Sequence, residues 1–206
     1  MRASDASRPP PGPIVLIDVM DTLVAEPFFT AVPAALGLTR EELLAAKHPT
    51  SWIEFELGRI EEAEYFRRFF RDGRAVDAAA LRGAIVAGYR WLPGMEALLA
   101  DLCAVGAELH ALSNYPDWWR LIEERLRLSR YLRWTFVSCR TGVRKPDPEC
   151  FLGAARALGV PPARCLFIDD RRANVAAAEA VGMPAVLFTD AASLRAALVA
   201  RGVLPR

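Results

Sequence analysis

Polar side chains of the types that take part in catalysis follow four apolar runs of this chain, directly or within a few residues. In chain order they are Asp18, the pair Ser113-Asn114, Lys145, and the pair Asp169-Asp170. Each apolar run is short and continuous, which is typical of a buried strand. Because ligands bind outside the carboxyl ends of the strands in an open parallel sheet, we expect these side chains to form one active site.

The residue types in this set suit the transfer of a phosphoryl group. A carboxylate can attack as a nucleophile and form a covalent aspartyl intermediate, and we assign this role to Asp18. Phosphoryl transfer also requires the negative charge on the phosphate oxygens to be neutralised. We expect the Ser113 hydroxyl and a backbone N–H at Asn114 to donate to these oxygens. Lys145 supplies a compact positive charge that holds both Asp18 and the phosphate, and Thr22 completes the predicted phosphate-binding set.

A metal ion is expected beside the nucleophile. Mg²⁺ prefers oxygen ligands in octahedral geometry, with few from the protein and the rest from water and phosphate. The sequence offers the carboxylate of Asp18, the backbone carbonyl of Met20, and the carboxylate of Asp169 or Asp170. We therefore predict a Mg²⁺ site formed by these four residues.

Each motif taken singly also has a structural explanation. Asp18 suits a turn at the end of a strand, and Asp169-Asp170 suits the N-cap of the next helix. Ser113-Asn114 is equally typical of a turn or an N-cap, and Lys145 beside another basic residue is typical of solvated surface. The occurrence of all four in this order, each at a predicted strand end or in the following loop, favours one catalytic site.

The pattern of the remaining chain predicts the elements that position these residues. Residues 27–90 show helical spacing with no strand-like run, and helices alternate with strands from there onwards. Such alternation implies right-handed crossovers and a parallel sheet. We predict an α/β protein, with a three-layer Rossmann-like parallel sheet and an inserted all-helical subdomain. The predicted regions are a disordered tail at 1–13, a core at 14–25 and 91–206, and a helical insert at 26–90.

Five helices are predicted within the insert, and glycine and proline residues separate them. Their predicted ranges are 28–36, 40–47, 51–57, 61–71 and 77–89. Thr39 followed by Glu42 fits a capping box at the start of the second helix. The strands after the insert are predicted at 108–112, 134–138, 164–168 and 185–188.

Composition and charge argue against a nucleic-acid-binding protein and against a membrane-spanning one. The chain has 206 residues, is 53% hydrophobic, and carries a formal net charge of +1. No basic stripe suggests a nucleic-acid partner, and no apolar stretch approaches the roughly 20 residues of a membrane span. The four cysteines lack Cys-x-x-Cys spacing, so we expect reduced thiols. We expect a small phosphorylated metabolite as the partner. The protein is expected in the cytoplasm, or in an organelle stroma after removal of a transit peptide. The sequence does not indicate the oligomeric state.

The motifs and their order resemble the haloacid dehalogenase-like (HAD) hydrolase superfamily. The resemblance spans residues 14–188, and the insert directly after the first motif resembles the C1 cap of that superfamily. It implies a hydrolase with the α/β fold predicted above. HAD phosphatases usually read Asp-x-Asp-x-Thr, in which the second Asp protonates the leaving group and then activates water. Here Met20 occupies that position, and Asp21 stands one residue later.

Three explanations of Met20 are open. Another group can supply the proton, either Asp21 or a cap residue such as His48, Glu54 or Glu56 if it reaches the cleft. The substrate can instead need no acid, as for a metal-independent 2-haloacid dehalogenase, whose halide leaves unprotonated. The third explanation is a ligand-binding protein with impaired catalysis. General acid–base catalysis typically contributes about 10²–10⁴ in rate, so its loss at Met20 would leave little turnover. The acidic pair at the fourth motif favours a Mg²⁺-dependent phosphatase over a dehalogenase.

A closer resemblance is carried by four segments of the insert and the core. They are 18–29 (DVMDTLVAEPFF), 46–58 (AKHPTSWIEFELG), 112–116 (LSNYP) and 167–175 (FIDDRRANV). These segments resemble the plant chloroplast flavin mononucleotide (FMN) hydrolase group of the superfamily. That group removes the 5′-phosphate of FMN to give riboflavin, and it also carries Met at the position of the second Asp. The resemblance implies FMN or a related small phosphate ester as the substrate.

A flavin ring favours aromatic side chains in a largely apolar pocket. The insert offers several, but Trp52, Phe55, Phe66 and Phe70 fall at helical spacing, which is typical of core packing. We name Trp52 and Tyr115 as the candidates for contact with the ring.

Overall fold

The centre of the molecule is a parallel sheet of five strands, in a computed structural model that describes residues 12–206. The strands are β1 (Ile14–Ile17), β2 (Glu108–Ser113), β3 (Arg133–Val137), β4 (Cys165–Asp169) and β5 (Ala185–Leu187). Their order across the sheet is β3-β2-β1-β4-β5, and every neighbouring pair is parallel. β1 therefore lies in the middle, and its carboxyl end is adjacent to those of β2 and β4.

Both faces of the sheet are covered, which explains the continuous apolar sequence of β1. Its four residues are all buried; Val15 and Ile17 belong to one hydrophobic cluster, and Ile14 and Leu16 belong to another. Successive side chains of a strand point to opposite faces, so the two clusters lie on opposite sides of the sheet. Parallel sheets of α/β proteins are buried by helices in this way. The predicted three-layer Rossmann-like α/β fold is confirmed.

Helices lie between successive strands, as the alternation predicts, and the short helix Ser138–Thr141 is an addition that the sequence does not predict. Their bounds are α1 (Phe28–Leu36), α2 (Arg40–Ala46), α3 (Ser51–Glu56), α4 (Glu62–Arg67), α5 (Ala78–Gly88), α6 (Met95–Ala104), α7 (Trp119–Leu126), α8 (Ser138–Thr141), α9 (Pro148–Ala157), α10 (Arg172–Ala180) and α11 (Ala191–Ala200). The predicted capping box of α2 is present, with the Thr39 side chain accepting from the N–H of Glu42 and the Glu42 carboxylate accepting from the N–H of Thr39.

Two chain segments connect the inserted helices α1–α5 to the sheet, and they run side by side. The backbone N–H of Ala25 donates to the carbonyl of Arg90 at 3.0 Å. We propose the boundaries stated above, with residues 26–90 as a cap and residues 14–25 and 91–206 as a core. The pairing of the two connections at these positions supports that division.

The chain enters the sheet through a close backbone contact. The carbonyl of Pro13 accepts from the N–H of Glu108 at 2.9 Å, which places Pro13 beside the start of β2. A Cβ on Gly12 would overlap the carbonyl oxygen of Gly106, so this approach requires glycine. Of the tail predicted at residues 1–13, residues 1–11 lie outside the described residues.

Most elements lie within one residue of their predicted ends, but the fourth helix of the insert is four residues shorter at its carboxyl end because of a contact that is distant in sequence. The helix predicted at 61–71 ends at Arg67, and the N–H of His48 donates to the carbonyl of Phe69 at 2.8 Å. This bond pairs the chain after α4 with the chain after α2, and an extended pairing competes with continued helix. Local apolar spacing does not reveal such a contact.

β3 ends one residue before the prediction because Ser138 begins the short helix α8. The Ser138 hydroxyl donates to the carbonyl of Glu56 and accepts from the N–H of Tyr115 at 2.9 Å. Ser138 therefore joins α3 of the insert to the loop that follows β2. The insert and the sheet are fixed to each other at this point.

The four cysteines are free, as predicted, and Cys150 and Cys165 are buried. Within residues 12–206, none of the helices is both long enough and apolar enough to cross a membrane.

Candidate active site

Three of the predicted side chains lie at one edge of the sheet because of the strand register. Asp18 directly follows β1, Ser113 is the last residue of β2, and Asp169 is the last residue of β4. β1 is in register with both neighbours. The N–H of Asp18 continues this pairing by donating to the carbonyl of Ile168 at 2.9 Å. The sheet thus carries all three side chains to its carboxyl edge, as the sequence predicts.

Lys145 lies between two of these carboxylates. Its Nζ is 2.9 Å from Oδ1 of Asp18 and 2.6 Å from Oδ2 of Asp169, and all three residues are buried. Asn114 fixes the backbone of Lys145, since its Nδ2 donates to the Lys145 carbonyl at 2.9 Å and its Oδ1 accepts from the Lys145 N–H at 2.8 Å. The structure therefore brings Asp18, Asn114, Lys145 and Asp169 together and holds the ammonium in one position.

The two residues of the acidic pair have different surroundings. Asp169 is fully buried, and its oxygens accept from the side-chain amide of Asn174 at 2.9 and 3.0 Å and from the N–H of Arg171 at 2.8 Å. Asp170 is partly exposed and borders the main pocket. Asp169 is thus engaged in holding Lys145, whereas Asp170 faces the pocket.

The cluster carries more negative than positive charge. Burial raises the pKa of Asp18 to about 7, with the Lys145 ammonium opposing the shift and the Asp169 carboxylate adding to it. Burial and the Asp169 charge also raise the pKa of Asp170. Burial alone would lower the pKa of Lys145, but Asp18 and Asp169 outweigh it and raise that pKa, so the lysine stays charged. A further cation would stabilise the ionised carboxylates.

The three carboxylates lie close enough to share one metal ion. One oxygen from each of Asp18, Asp169 and Asp170 can be chosen so that all lie within 4.8 Å of one another. Oxygens bound to Mg²⁺ at about 2.0–2.1 Å stand at most about 4.2 Å apart, so small side-chain movements suffice. Met20, whose carbonyl is the fourth predicted ligand, borders the same pocket. The donor set, made of hard oxygens with excess negative charge, fits Mg²⁺.

Two buried hydroxyl groups near the ends of β1 and β2 have no hydrogen-bond partner within the described part of the chain. They are Oγ of Ser113 and Oγ1 of Thr22. Ser113 borders a second cavity, which adjoins the main pocket at Asn114 and Lys145, whereas Thr22 is fully buried and borders neither. A buried hydroxyl without a partner is costly, so each needs an acceptor or donor from a ligand or water.

Aromatic side chains form a wall of the main pocket. Phe28, Phe29, Trp52 and Tyr115 all border it. The ring of Trp52 is partly exposed and packs edge-on against that of Tyr115, with centroids 5.9 Å apart. Both predicted candidates for ring contact therefore lie in the pocket. The other three aromatic residues at the same helical spacing are buried in the hydrophobic core: Phe55, Phe66 and Phe70.

The cap residues predicted as substitutes for the missing second Asp divide into two groups. Among residues 12–206, His48 and Glu54 do not border the main pocket, and Glu54 is paired with Arg68 at 2.7 Å. Glu56 does border the pocket, but its carboxylate is paired with the guanidinium of Arg144. None of the three thus offers an unpaired carboxyl or imidazole to the pocket.

Glu26 also borders the pocket, although it is not among the site residues predicted above. Its N–H donates to Oδ1 of Asp21 at 2.9 Å, and its Oε1 accepts from the N–H of Phe28 at 2.9 Å. Burial raises the pKa of Glu26 to about 7; the Phe28 N–H opposes the shift, and the charges of Asp21 and Asp18 add to it. The sequence did contain a signal, since an acidic residue directly follows the apolar run 23–25.

Comparisons with known proteins agree with this geometry. A family model for haloacid dehalogenase-like hydrolases matches residues 13–182. Flavin mononucleotide hydrolase 1 of Arabidopsis thaliana, described as chloroplastic, is 50% identical over 182 residues, which cover 88% of this chain and 74% of that protein. A sesquiterpene phosphatase of Aspergillus oryzae is 30% identical, over 68% of this chain and 73% of that protein.

Solved structures share the fold. A HAD family enzyme from Bacteroides thetaiotaomicron, in complex with magnesium and inorganic phosphate, aligns with a TM-score of 0.71 at 19% identity, covering 87% of this chain and 95% of that one. The L-2-haloacid dehalogenase from Xanthobacter autotrophicus, with chloropropionic acid covalently bound, aligns with a TM-score of 0.63 at 19% identity. This alignment covers 94% of this chain and 85% of that one. The family match spans most of the chain and confirms the resemblance carried by the motifs. The chain belongs to the haloacid dehalogenase-like hydrolases.

Proposed function

We propose that this protein is a Mg²⁺-dependent phosphomonoester hydrolase that releases phosphate from FMN through an aspartyl-phosphate intermediate. The observation that carries the proposal is the cluster of Asp18, Lys145, Asp169 and Asp170 at the edge of an aromatic-walled pocket. The chloroplastic relative with 50% identity is named for FMN hydrolysis, which supports FMN as the substrate. It also supports an organelle stroma as the compartment, with the cytoplasm as the alternative.

Asp18 is the proposed nucleophile. Its carboxylate attacks phosphorus while the ester P–O bond breaks, and water then hydrolyses the aspartyl phosphate to release inorganic phosphate. Lys145, with Nζ 2.9 Å from Oδ1 of Asp18, orients the attacking carboxylate and balances the charge of the phosphate. The Asp169 carboxylate and the Asn114 side chain also position Lys145, because they hold its ammonium and its backbone in place.

The phosphate oxygens are proposed to accept from hydroxyl and backbone donors at the same edge. The Ser113 hydroxyl has no partner within the described residues and borders the adjoining cavity, which supports its use as a donor to a ligand. Thr22 remains a proposed donor on its residue type and position alone, because its hydroxyl also lacks a partner within the described residues but is fully buried and borders neither cavity. A backbone N–H at Asn114 and the Lys145 ammonium complete the proposed set. Donors fixed before the substrate arrives need no reorganisation during the reaction.

The proposed Mg²⁺ ligands are Asp18, the carbonyl of Met20, and the acidic pair Asp169 and Asp170. When bound, Mg²⁺ neutralises negative charge on the transferring phosphoryl group. The excess negative charge of the cluster and the 4.8 Å spread of its oxygens support this assignment. Asp170 is the carboxylate that faces the pocket, whereas Asp169 is already held by Asn174 and Lys145.

The isoalloxazine ring of FMN is proposed to contact Trp52 and Tyr115. Both border the pocket, and Trp52 keeps part of its ring exposed. Tyr115 is fixed by a hydrogen bond of 2.8 Å between its hydroxyl and that of Tyr89. A flat aromatic ligand would find rigid aromatic surface there.

The proposal is tested by measuring inorganic phosphate released from FMN, with Mg²⁺ or with EDTA. We expect Mg²⁺-dependent release by the natural chain and no release by D18N. The control is D117N, which removes a carboxylate whose side chain is 61% exposed and should retain the activity. Release of phosphate from other phosphate esters but not from FMN would support the proposed mechanism and refute FMN as the substrate.

Two outcomes would contradict the phosphatase itself. Chloride release from 2-chloropropionate that is insensitive to EDTA would identify a metal-independent dehalogenase. Tight binding of FMN with no release of phosphate would identify a ligand-binding protein with impaired catalysis.

A further inference from the structure

The proposed reaction needs a group that moves protons, and Met20 cannot do so. The ribityl alkoxide of FMN must be protonated as it leaves, and the water that attacks the aspartyl phosphate must lose a proton. A thioether has no proton to give and is too weak a base to take one. We infer that Glu26 is the general acid and general base of this reaction, an inference that rests on the proposed function.

The position of Glu26 carries the inference. It borders the same pocket as Asp18 and Met20, at the point where the chain leaves the sheet for α1. Its Oε1 accepts from the N–H of Phe28, and this contact fixes the carboxyl group. Within residues 12–206, its Oε2 has no hydrogen-bond or ion-pair partner, so one oxygen remains available to a substrate or to water.

The charged groups around the Glu26 carboxyl group affect how readily it keeps its proton near neutral pH. Asp21 and Asp18 disfavour the ionised carboxylate, and Arg171 favours it. Glu26 also lies near the buried hydroxyls of Tyr65, Tyr89 and Tyr115, whose pKa values it raises further. This apolar, aromatic environment explains why burial raises the pKa of Glu26 to about 7. A group with a pKa near the working pH is suited to both acid and base roles.

The two other carboxyl groups at the pocket, apart from the metal cluster, are less suited. The Glu56 carboxylate is paired with the guanidinium of Arg144, so it is not free to contact a substrate. Asp21 is exposed, stands in a left-handed turn with φ of 54°, and already accepts the N–H of Glu26 through Oδ1. Asp21 therefore positions Glu26. Substitution of Asp21 can be compared directly with substitution of Glu26 in the test below.

The two steps balance as follows. Asp18 attacks phosphorus, the ester P–O bond breaks, and the Glu26 carboxyl proton passes to the ribityl oxygen to give riboflavin. Water then attacks the same phosphorus, Glu26 takes its proton, and the aspartyl P–O bond breaks. Asp18 and the protonated Glu26 are regenerated, and inorganic phosphate leaves.

The test uses two substrates whose leaving groups differ in their need for an acid. The ribityl alkoxide of FMN is a strong base and must be protonated, whereas p-nitrophenolate leaves without a proton. E26Q keeps an acceptor for the N–H of Phe28 but cannot transfer a proton, and D21N keeps the acceptor for the N–H of Glu26. We expect E26Q to lower kcat/KM for FMN by about 10²–10⁴ and to change kcat/KM for p-nitrophenyl phosphate by less than about tenfold. D21N should change both by the same factor.

A second readout concerns the base role. E26Q should release p-nitrophenolate in a burst equal to the concentration of active sites, because the aspartyl phosphate forms but is hydrolysed slowly. The inference would be overturned if E26Q lost kcat/KM equally on both substrates, or lost none on FMN. It would also be overturned if D21N lost more kcat/KM on FMN than on p-nitrophenyl phosphate. Absence of activity in the natural chain on both substrates would instead refute the proposed function.

Discussion

Loss of Arg144 is expected to destabilise the protein more than loss of Glu56, although the two residues form one ion pair. The pair joins the segment before Lys145 to α3 of the insert. The Glu56 side chain is 3% exposed and that of Arg144 is 34% exposed. R144M therefore leaves a buried carboxylate without its counter-charge, whereas E56Q leaves a guanidinium that reaches water.

The magnitudes follow from this difference in exposure. Removing one partner and leaving the other charge buried costs about 3–5 kcal/mol. Because Glu56 can respond by taking up a proton, we expect R144M to lose about 3 kcal/mol of unfolding free energy at pH 8. Arg144 is partly solvated and the glutamine of E56Q keeps a hydrogen-bond acceptor, so E56Q should lose about 1 kcal/mol.

The R144M loss should also depend on pH. Burial raises the pKa of Glu56 even in the presence of Arg144, and loss of the guanidinium raises it further. A carboxyl group whose pKa is higher in the folded state binds more protons there, so it destabilises the folded protein as pH rises through that pKa. The difference between R144M and the natural chain should therefore be smaller at pH 5 than at pH 8.

Urea unfolding at the two pH values measures these differences. The matched control is R130A, which breaks a surface pair with Glu96 whose side chains are 55% and 43% exposed, and it should cost no more than about 1 kcal/mol. Equal losses in R144M and E56Q, or an R144M loss that does not shrink at pH 5, would refute the reasoning.

Two further predictions concern the pocket and the contact between insert and sheet. W52A should raise the KM for FMN by about 3- to 10-fold and leave that for p-nitrophenyl phosphate unchanged, because Trp52 is proposed to contact the flavin ring and not the phosphate; an unchanged KM for FMN excludes Trp52 from the site. G58A should lose about 2–4 kcal/mol in urea unfolding, because Gly58 has φ of 67° and a Cβ there would overlap the Cys139 carbonyl. G73A, with φ of 74° and open space, should lose only about 1 kcal/mol, and equal losses would rule out the overlap.

The strand ends could be predicted because their signal is local. A short apolar run followed by Asp18 or by Asp169 is visible in a few residues, and parallel topology then brings such ends to one edge. The contacts that fix the site are not local. Asn114 and Lys145 are 31 residues apart, and no spacing rule links the amide of one to the backbone of the other. The order of the strands depends on similar long-range pairing.

The signal for Glu26, an acidic residue directly after the apolar run 23–25, does not by itself indicate a catalytic role, for a related reason. Its carboxyl group accepts from the N–H of Phe28, which is the ordinary role of an acidic residue at the start of a helix. Only the fold shows that this helix start borders the pocket of Asp18. The candidate proton donors visible in the sequence are Asp21, which is exposed, and residues of the insert such as Glu54, which lies away from the pocket, and Glu56, which is paired with Arg144.

The most direct test of the central claim is to locate the covalent intermediate. FMN and Mg²⁺ are mixed with the enzyme, the reaction is quenched in acid within a single turnover, and the digested protein is analysed by mass spectrometry. We expect a phosphoryl group on Asp18 in the natural chain and none in D18N. A phosphoryl group on another residue, or turnover of FMN by D18N, would contradict this claim.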